Sequence, residues 1–133
     1  MSALIDSSVW IAHLRAPHPG LAPSLEGVQQ RYGRLVTCEP VAMELLAGAR
    51  GAEIAVVEAL VDGLGQLPLE PLVDFRIAAS LYRDAKHAGH TVRSLVDCLI
   101  AAVALRHDAT VVHRDRDFEM LALVSPLRVE RCD

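Results

Sequence analysis

Two rhythms of apolar and polar residues alternate along the chain. Short apolar runs at residues 2–5, at Leu35-Val36-Thr37, at Ala109 to Val112 and at Leu127-Arg128-Val129 have the length of strands, and Leu67-Pro68-Leu69 reads as a further extended piece. Between them, apolar residues recur at three- and four-residue spacing, the repeat of a helix face. This spacing predicts helices over 7–15, 21–32, 40–46, 52–64, 72–88, 95–107 and 116–123, the one at 72–88 burying Val73, Ile77, Ala78, Leu81 and Tyr82. Pro40 suits a first helical position, Gly33 and Gly48 suit helix ends, and Ala16-Pro17-His18-Pro19-Gly20 and Gly89-His90-Thr91 are loop and turn signals. Strands alternating with helices give an α/β fold whose parallel sheet is covered on both faces.

The segment Arg93 to Ala104 breaks the pattern. Val96, Leu99, Ile100 and Val103 mark one face of a helix, yet Asp97 sits in its first turn on the side of Ala101 and Ala104. Those small residues predict a close contact, and an acid beside a close contact needs a reason. Ser94 followed three residues later by Asp97 has the form of a capping box. A second reason is a metal ion, because three further acids, Asp6, Glu44 and Asp115, also adjoin apolar segments.

In an open parallel sheet, ligands collect beyond the carboxyl ends of the strands. Asp6 follows Ala-Leu-Ile directly; Asp115 and Asp117 follow Thr-Val-Val after a His113-Arg114 spacer; Glu44 shares a helix face with Val41, Leu45 and Gly48. Each acid also has a plainer role: Asp6 as an N-cap, Glu44 on a helix rim, Asp115 and Asp117 as a polar turn capping the next helix. Four carboxylates meeting at one sheet edge would repel one another unless cations joined them. Oxygen ligands of this kind suit Mg²⁺ or Mn²⁺, and with such ions the chemistry is that of phosphodiester hydrolysis.

Composition narrows the classes. At 133 residues, 52% hydrophobic, with no repeat and no linker, the chain is expected to form one domain over residues 1–133. Apolar runs stop well short of the roughly 18 residues of a membrane span, and the start has an acid at Asp6 and no basic segment, so the expected location is the cytoplasm. Cys38, Cys98 and Cys132 are odd in number and form no CxxC pair, which argues against disulfides and cysteine zinc sites. A formal net charge of −4 argues against nucleic-acid binding through a broad basic surface, but not against a site where metal ions carry the positive charge. His87 and His90, across a turn, lack further zinc ligands and read as surface residues, as do His13, His18 and His107.

Four stretches together resemble a family. Leu4-Ile5-Asp6-Ser7-Ser8-Val9-Trp10-Ile11, Glu44-Leu45-Leu46-Ala47-Gly48, Asp97-Cys98-Leu99-Ile100-Ala101-Ala102-Val103-Ala104 and Arg114-Asp115-Arg116-Asp117-Phe118 resemble, in order and spacing, the four motifs of PIN-domain ribonucleases, and in length the toxin half of VapBC-type toxin–antitoxin pairs. The resemblance implies a three-layer α/β/α sandwich with a mostly parallel central sheet. It implies Asp6, Glu44, Asp97 and Asp115 as catalytic, metal-holding acids, Asp117 as an additional metal-site acid, and Ser8 as a polar residue bonded within the site. It further implies cleavage of single-stranded or looped RNA, often tRNA, with Mg²⁺ or Mn²⁺, leaving 5′-phosphate and 3′-hydroxyl ends. A homodimer, and a cognate antitoxin lying over the active site, complete the expectation.

His113 departs from the pattern, since many members carry Thr or Asn there; it would replace a hydroxyl, tune the site or touch substrate. Arg93, Arg114 and Arg116 flank the acids and would either hold RNA phosphates or pair with carboxylates. The helices at 21–32 and 52–64 are an apolar, motif-free pair that would either pack into the core or share a groove that docks an amphipathic antitoxin helix. Three rival functions have weaker support. A receiver-like signalling domain needs a lysine after a late strand, and the one lysine, Lys86, ends a helix. A haloacid-dehalogenase-type phosphatase needs an acid where Ser8 stands. A PIN-fold binding module without activity would not need all four acids.

Overall fold

The computed structural model describes residues 1–16 and 20–132; the Pro17-His18-Pro19 part of the predicted loop, with His18, lies outside the described residues. Twelve elements follow in order: β1 (Ala3–Ile5), α1 (Ser7–Arg15), α2 (Pro23–Tyr32), β2 (Leu35–Thr37), α3 (Glu39–Gly48), α4 (Glu53–Gly63), β3 (Gly65–Gln66), α5 (Pro71–His87), α6 (Leu95–His107), β4 (Thr110–His113), α7 (Arg116–Leu123) and β5 (Arg128–Arg131). The strands form one parallel sheet in the order β3-β2-β1-β4-β5. This is the expected α/β/α arrangement.

Strand β1 sits at the centre, with Ala3 opposite Leu35 on one side and Thr110 on the other. Its three residues are wholly buried, as a continuous apolar run flanked by helices should be. The chain winds from β1 through β2 to β3 on one side, then crosses to build β4 and β5 on the other. The winding therefore reverses between β1 and β4, and a crevice is expected beyond their carboxyl ends. The Asp6 N–H donates to the Val112 carbonyl at 2.9 Å, which stitches the two strand ends together there.

Helix α6 is not the amphipathic helix that its spacing predicts. Cys98, Ile100, Ala101, Ala102, Val103 and Ala104 are all buried, whereas Val96 and Leu99 are only partly so. It packs against α5, α7, α3 and β4, and its buried alanines let these neighbours approach closely. Helix α5 is rotated from its predicted face: Asp74, Ala78, Leu81 and Ala85 are buried, and Val73 is exposed.

The third strand is Gly65–Gln66 rather than Leu67-Pro68-Leu69. Pro68 has no N–H to give a ladder; Leu67 makes the last bond, donating to the Thr37 carbonyl at 2.9 Å. Helices α2 and α4 are not a pair either: α2 lies on β1 and β2, and α4 packs on α3. The apolar groove lies instead between α1, α3 and α4, with a volume of about 390 Å³ and Ile11, Leu14, Leu45, Val56 and Val57 among its walls. No helix among the described residues is long and apolar enough to cross a membrane.

Candidate active site

Asp6 directly follows β1, Asp115 and Asp117 follow β4, and helices α3 and α6 bring Glu44 and Asp97 to the same edge of the sheet. Asp6, Glu44 and Asp97 can each place an oxygen within 4.8 Å of the others; Asp97, Asp115 and Asp117 form a second such triad, so Asp97 belongs to both. All five acids expected from the sequence thus meet at one place.

The capping roles and the cluster turn out to be compatible. Asp6 is the N-cap of α1, and its Oδ2 accepts from the Ser8 N–H at 3.1 Å and the Ser8 hydroxyl at 2.5 Å. Its Oδ1 is buried with no donor. Asp115 caps α7, its Oδ1 accepting the Asp117 N–H at 3.0 Å. Ser94 caps α6, its Oγ accepting the Asp97 N–H at 3.3 Å, which leaves the Asp97 carboxylate uncommitted to the cap. The Ser7 hydroxyl donates to Glu44 Oε1 at 3.0 Å and braces α1 against α3. Ser7 carries no sequence signal beyond its position between Asp6 and Ser8.

The electrostatics follow from this crowding. Burial first, and then the charges of Asp6, Asp115, Glu44 and Asp117, push the Asp97 carboxyl up to about 8. Burial likewise raises Asp6, against the lowering effect of its Ser8 bonds, and Asp115 adds to the rise. Glu44 is raised by burial and by Asp6 and Asp115, again against its serine bond. Among the described residues, Asp6, Glu44 and Asp97 have no basic partner; the cation at the site is Arg93, whose guanidinium lies 3.5 Å from Asp115 and 3.7 Å from Asp117. The Arg93 N–H also donates to Asp117 Oδ2 at 3.0 Å.

Carboxylate oxygens gathered without compensating charge, one of them buried and undonated, fit a hard divalent cation. Asp6, Glu44 and Asp97 supply the uncompensated half. Asp115 and Asp117 supply a half that an arginine already balances in part.

The remaining predicted residues separate by burial. His113 ends β4 wholly buried beside Phe118, with ring centroids 5.6 Å apart. Its Nδ1 accepts the Asp115 N–H at 3.2 Å, so the buried ring acts as a hydrogen-bond acceptor at the start of the last motif. Burial holds its pKa below the ordinary histidine value. Arg114 is exposed, and its N–H donates to Ser8 Oγ at 3.1 Å. Arg116 is exposed in the first turn of α7. Of the three arginines, only Arg93 pairs with acids of the cluster.

The PIN domain family's sequence model matches residues 3–123, a span that takes in all five acids. The chain belongs to the PIN-domain family. Within it, this PIN domain is 44% identical over 127 residues to VapC ribonuclease Mb1587 of Mycobacterium bovis, covering 94% of this chain and 95% of that one. Among solved structures, VapBC-5 of Mycobacterium tuberculosis, a member of the VapBC family of toxin–antitoxin systems, is 26% identical with a TM-score of 0.66 over 98% of this chain and 97% of that one. VapBC2 of Rickettsia felis, bound to a DNA fragment from their promoter, shares the fold at 15% identity, with a TM-score of 0.77 over 100% of both chains.

Proposed function

We propose that this PIN domain, residues 1–133 acting as one unit, is the Mg²⁺-dependent endoribonuclease toxin of a VapBC-type pair, with structured RNA such as tRNA as its substrate. The observation that carries the proposal is the acid cluster around Asp97, with its uncompensated charge and the undonated Asp6 Oδ1. The likeness to a VapC ribonuclease at 44% identity supports the reaction class.

Asp6, Glu44, Asp97 and Asp115 would hold the metal, with Asp117 as a further ligand. A divalent ion there supplies activation of a water and charge stabilisation on the phosphodiester. The chain's own residues fix the ligand geometry. Ser8 holds Asp6 by one oxygen and leaves the other free, Ser7 holds Glu44, and Ser94 sets the first turn that presents Asp97. His113 holds the Asp115 N–H and so sets the start of the last motif. Mn²⁺ would serve in place of Mg²⁺, since both take oxygen ligands.

A cognate antitoxin is the expected partner, and the apolar groove between α1, α3 and α4 is the surface that suits its helix, because Glu44 stands at its edge. A homodimer and a cytoplasmic location complete the proposal.

Cleavage of total tRNA by antitoxin-free protein, run with Mg²⁺, with EDTA and with Asp97→Asn in parallel, tests it. Discrete fragments that need both the metal and Asp97 are the expected result. Equal cutting by the Asn variant would mean a contaminating nuclease, and no cutting of any RNA would remove the enzymatic reading.

A further inference from the structure

A second groove begins where the acid cluster ends. It has a volume of about 540 Å³ and is lined by Ser8, Ile11, Ala12, Arg15, Ala16 and Arg114. Ser8, Ile11 and Arg15 are spaced at i, i+3 and i+7 on α1, so one helix face forms a wall about 10 Å long. Ser8 is the hinge between groove and cluster, since its hydroxyl donates to Asp6 and accepts the Arg114 N–H.

Arg93, Arg106, Arg128 and Arg131 each have an acid partner. Arg15 and Arg114 are exposed and have no acid partner among the described residues. Arg34, Arg50, Arg76, Arg83 and Arg116 also have no acid partner among the described residues; what sets Arg15 and Arg114 apart is that both line one groove beside the acid cluster. An unpaired guanidinium presents a planar fork of donors that matches a phosphate. A polyanion approaching five carboxylates on a chain of net charge −4 needs such anchors beside the metal centre. Between the two arginines, Ile11 and Ala12 give an apolar floor of the kind a ribose or base face can lie on.

We propose that this groove, between α1 and the β4–α7 connection, is a phosphodiester-binding subsite for the RNA strand flanking the cut, with Arg15 and Arg114 contacting its backbone phosphates. The proposal rests on the nuclease reading above. A purely structural role for Arg15 also exists, because it lies in the last turn of α1, where a cation favours the helix dipole. That role affects stability and leaves the salt dependence of RNA binding unchanged.

The test is binding of a fluorescein-labelled, short, unstructured RNA oligonucleotide to the full chain carrying Asp97→Asn, over a series of salt concentrations with Mn²⁺ present. Arg15→Gln and Arg114→Gln should each weaken binding about tenfold. Each should also lower the slope of log affinity against log salt by roughly 0.7, the value for one phosphate contact on a single strand. Arg15→Lys and Arg114→Lys should keep the slope, and Arg83→Gln, on α5, should change neither quantity. In the cleaving protein, Arg15→Gln and Arg114→Gln should raise KM and leave kcat in place, the mark of uniform binding. Unchanged slope and KM in both variants, with a parent that cleaves RNA, would overturn the subsite and leave the nuclease standing. A parent that neither binds nor cleaves RNA would overturn both.

Discussion

Asp74 and Asp97 are both buried aspartates in the first turns of neighbouring helices, α5 and α6. Their surroundings are opposite. Burial alone would raise the Asp74 carboxyl, but bonds from Arg106 and from the Glu70 N–H outweigh it and hold its pKa below the ordinary value. Arg106 Nε and Nη2 reach its two oxygens at 2.8 and 3.0 Å. Asp97 is met by acids, and its carboxyl rises to about 8. A buried charge is stable in a fold when paired. At Asp74 the chain supplies the partner, and at Asp97 it leaves room for one from outside. The contrast separates an acid that holds the fold together from an acid kept for chemistry.

The strongest way to break that contrast is Asp97→Asn. Cleavage should fall by about a thousandfold, since the ion's share of the barrier is several kcal/mol. Stability should move the other way. A carboxyl raised above its unfolded value lends stability that is whole below about 3.8 and is lost as pH rises through about 8. The metal-free Asn variant should therefore melt no lower than the parent at alkaline pH. A variant that melts lower there would show Asp97 to be a structural acid like Asp74.

Arg106→Met should do the reverse. It leaves Asp74 buried without its arginine, at a cost of about 3 kcal/mol in urea unfolding, and leaves kcat for the folded enzyme unchanged. The sign with pH is fixed by the lowered carboxyl. Its contribution is present above 3.8 and is lost as pH falls through the depressed folded value. The gap between parent and variant should thus be full at neutral pH and narrow in acid. A gap that does not depend on pH would mean that Arg106 acts through its packing and its bond to the Pro68 carbonyl rather than through Asp74.

These two aspartates also show what was legible in the sequence. Asp97 stood out because an acid beside Ala101 and Ala104 conflicts with the apolar pattern, and because Asp6, Glu44 and Asp115 repeat that conflict. Asp74 was hidden. A helical pattern assigns buried places to apolar residues, so it sets the face of α5 at Val73 and Ile77, one step round from Asp74. Its arginine lies 32 residues away in sequence, and pairing over that distance leaves no local mark. The short strands and the order of elements were legible because strands buried on both faces are uninterrupted apolar runs. The groove was misplaced because which helices adjoin depends on the winding of the sheet, which propensity does not encode. His113 could be flagged as unusual, but whether it faced substrate or core depended on β4 continuing one residue further than its apolar run.

A smaller effect sharpens the comparison from the metal's side. A carboxyl pushed up to about 8 by burial and neighbouring acids should carry, at neutral pH, a proton that a cation must displace. Mn²⁺ affinity should therefore weaken as pH falls below about 8, by up to about tenfold per unit if one proton is released. Titration calorimetry in buffers of different ionisation enthalpy reads that proton directly. Asp97→Asn should flatten the dependence, and an equally steep dependence in the variant would transfer the proton to Asp6 or Glu44.

The smallest effect concerns Arg93, which gives one end of the cluster something of the Asp74 arrangement. Its guanidinium is 70% exposed and 3.5 Å or more from either acid, so Arg93→Gln should cost less than about 1 kcal/mol of stability. The Asp117 link through the backbone N–H survives the substitution, which keeps the loop before α6 in place. What changes is charge: Asp115 and Asp117 lose their resident cation, and the acid cluster as a whole becomes more negative. Mn²⁺ binding should then tighten by a few-fold, with the gain shrinking at high salt, as expected for an exposed charge. Weaker Mn²⁺ binding in Arg93→Gln would mean that the arginine orients the two carboxylates for the ion rather than competing with it. Asp115 and Asp117 would then be prearranged by the chain, as Asp74 is, and Asp6, Glu44 and Asp97 alone would remain the open half.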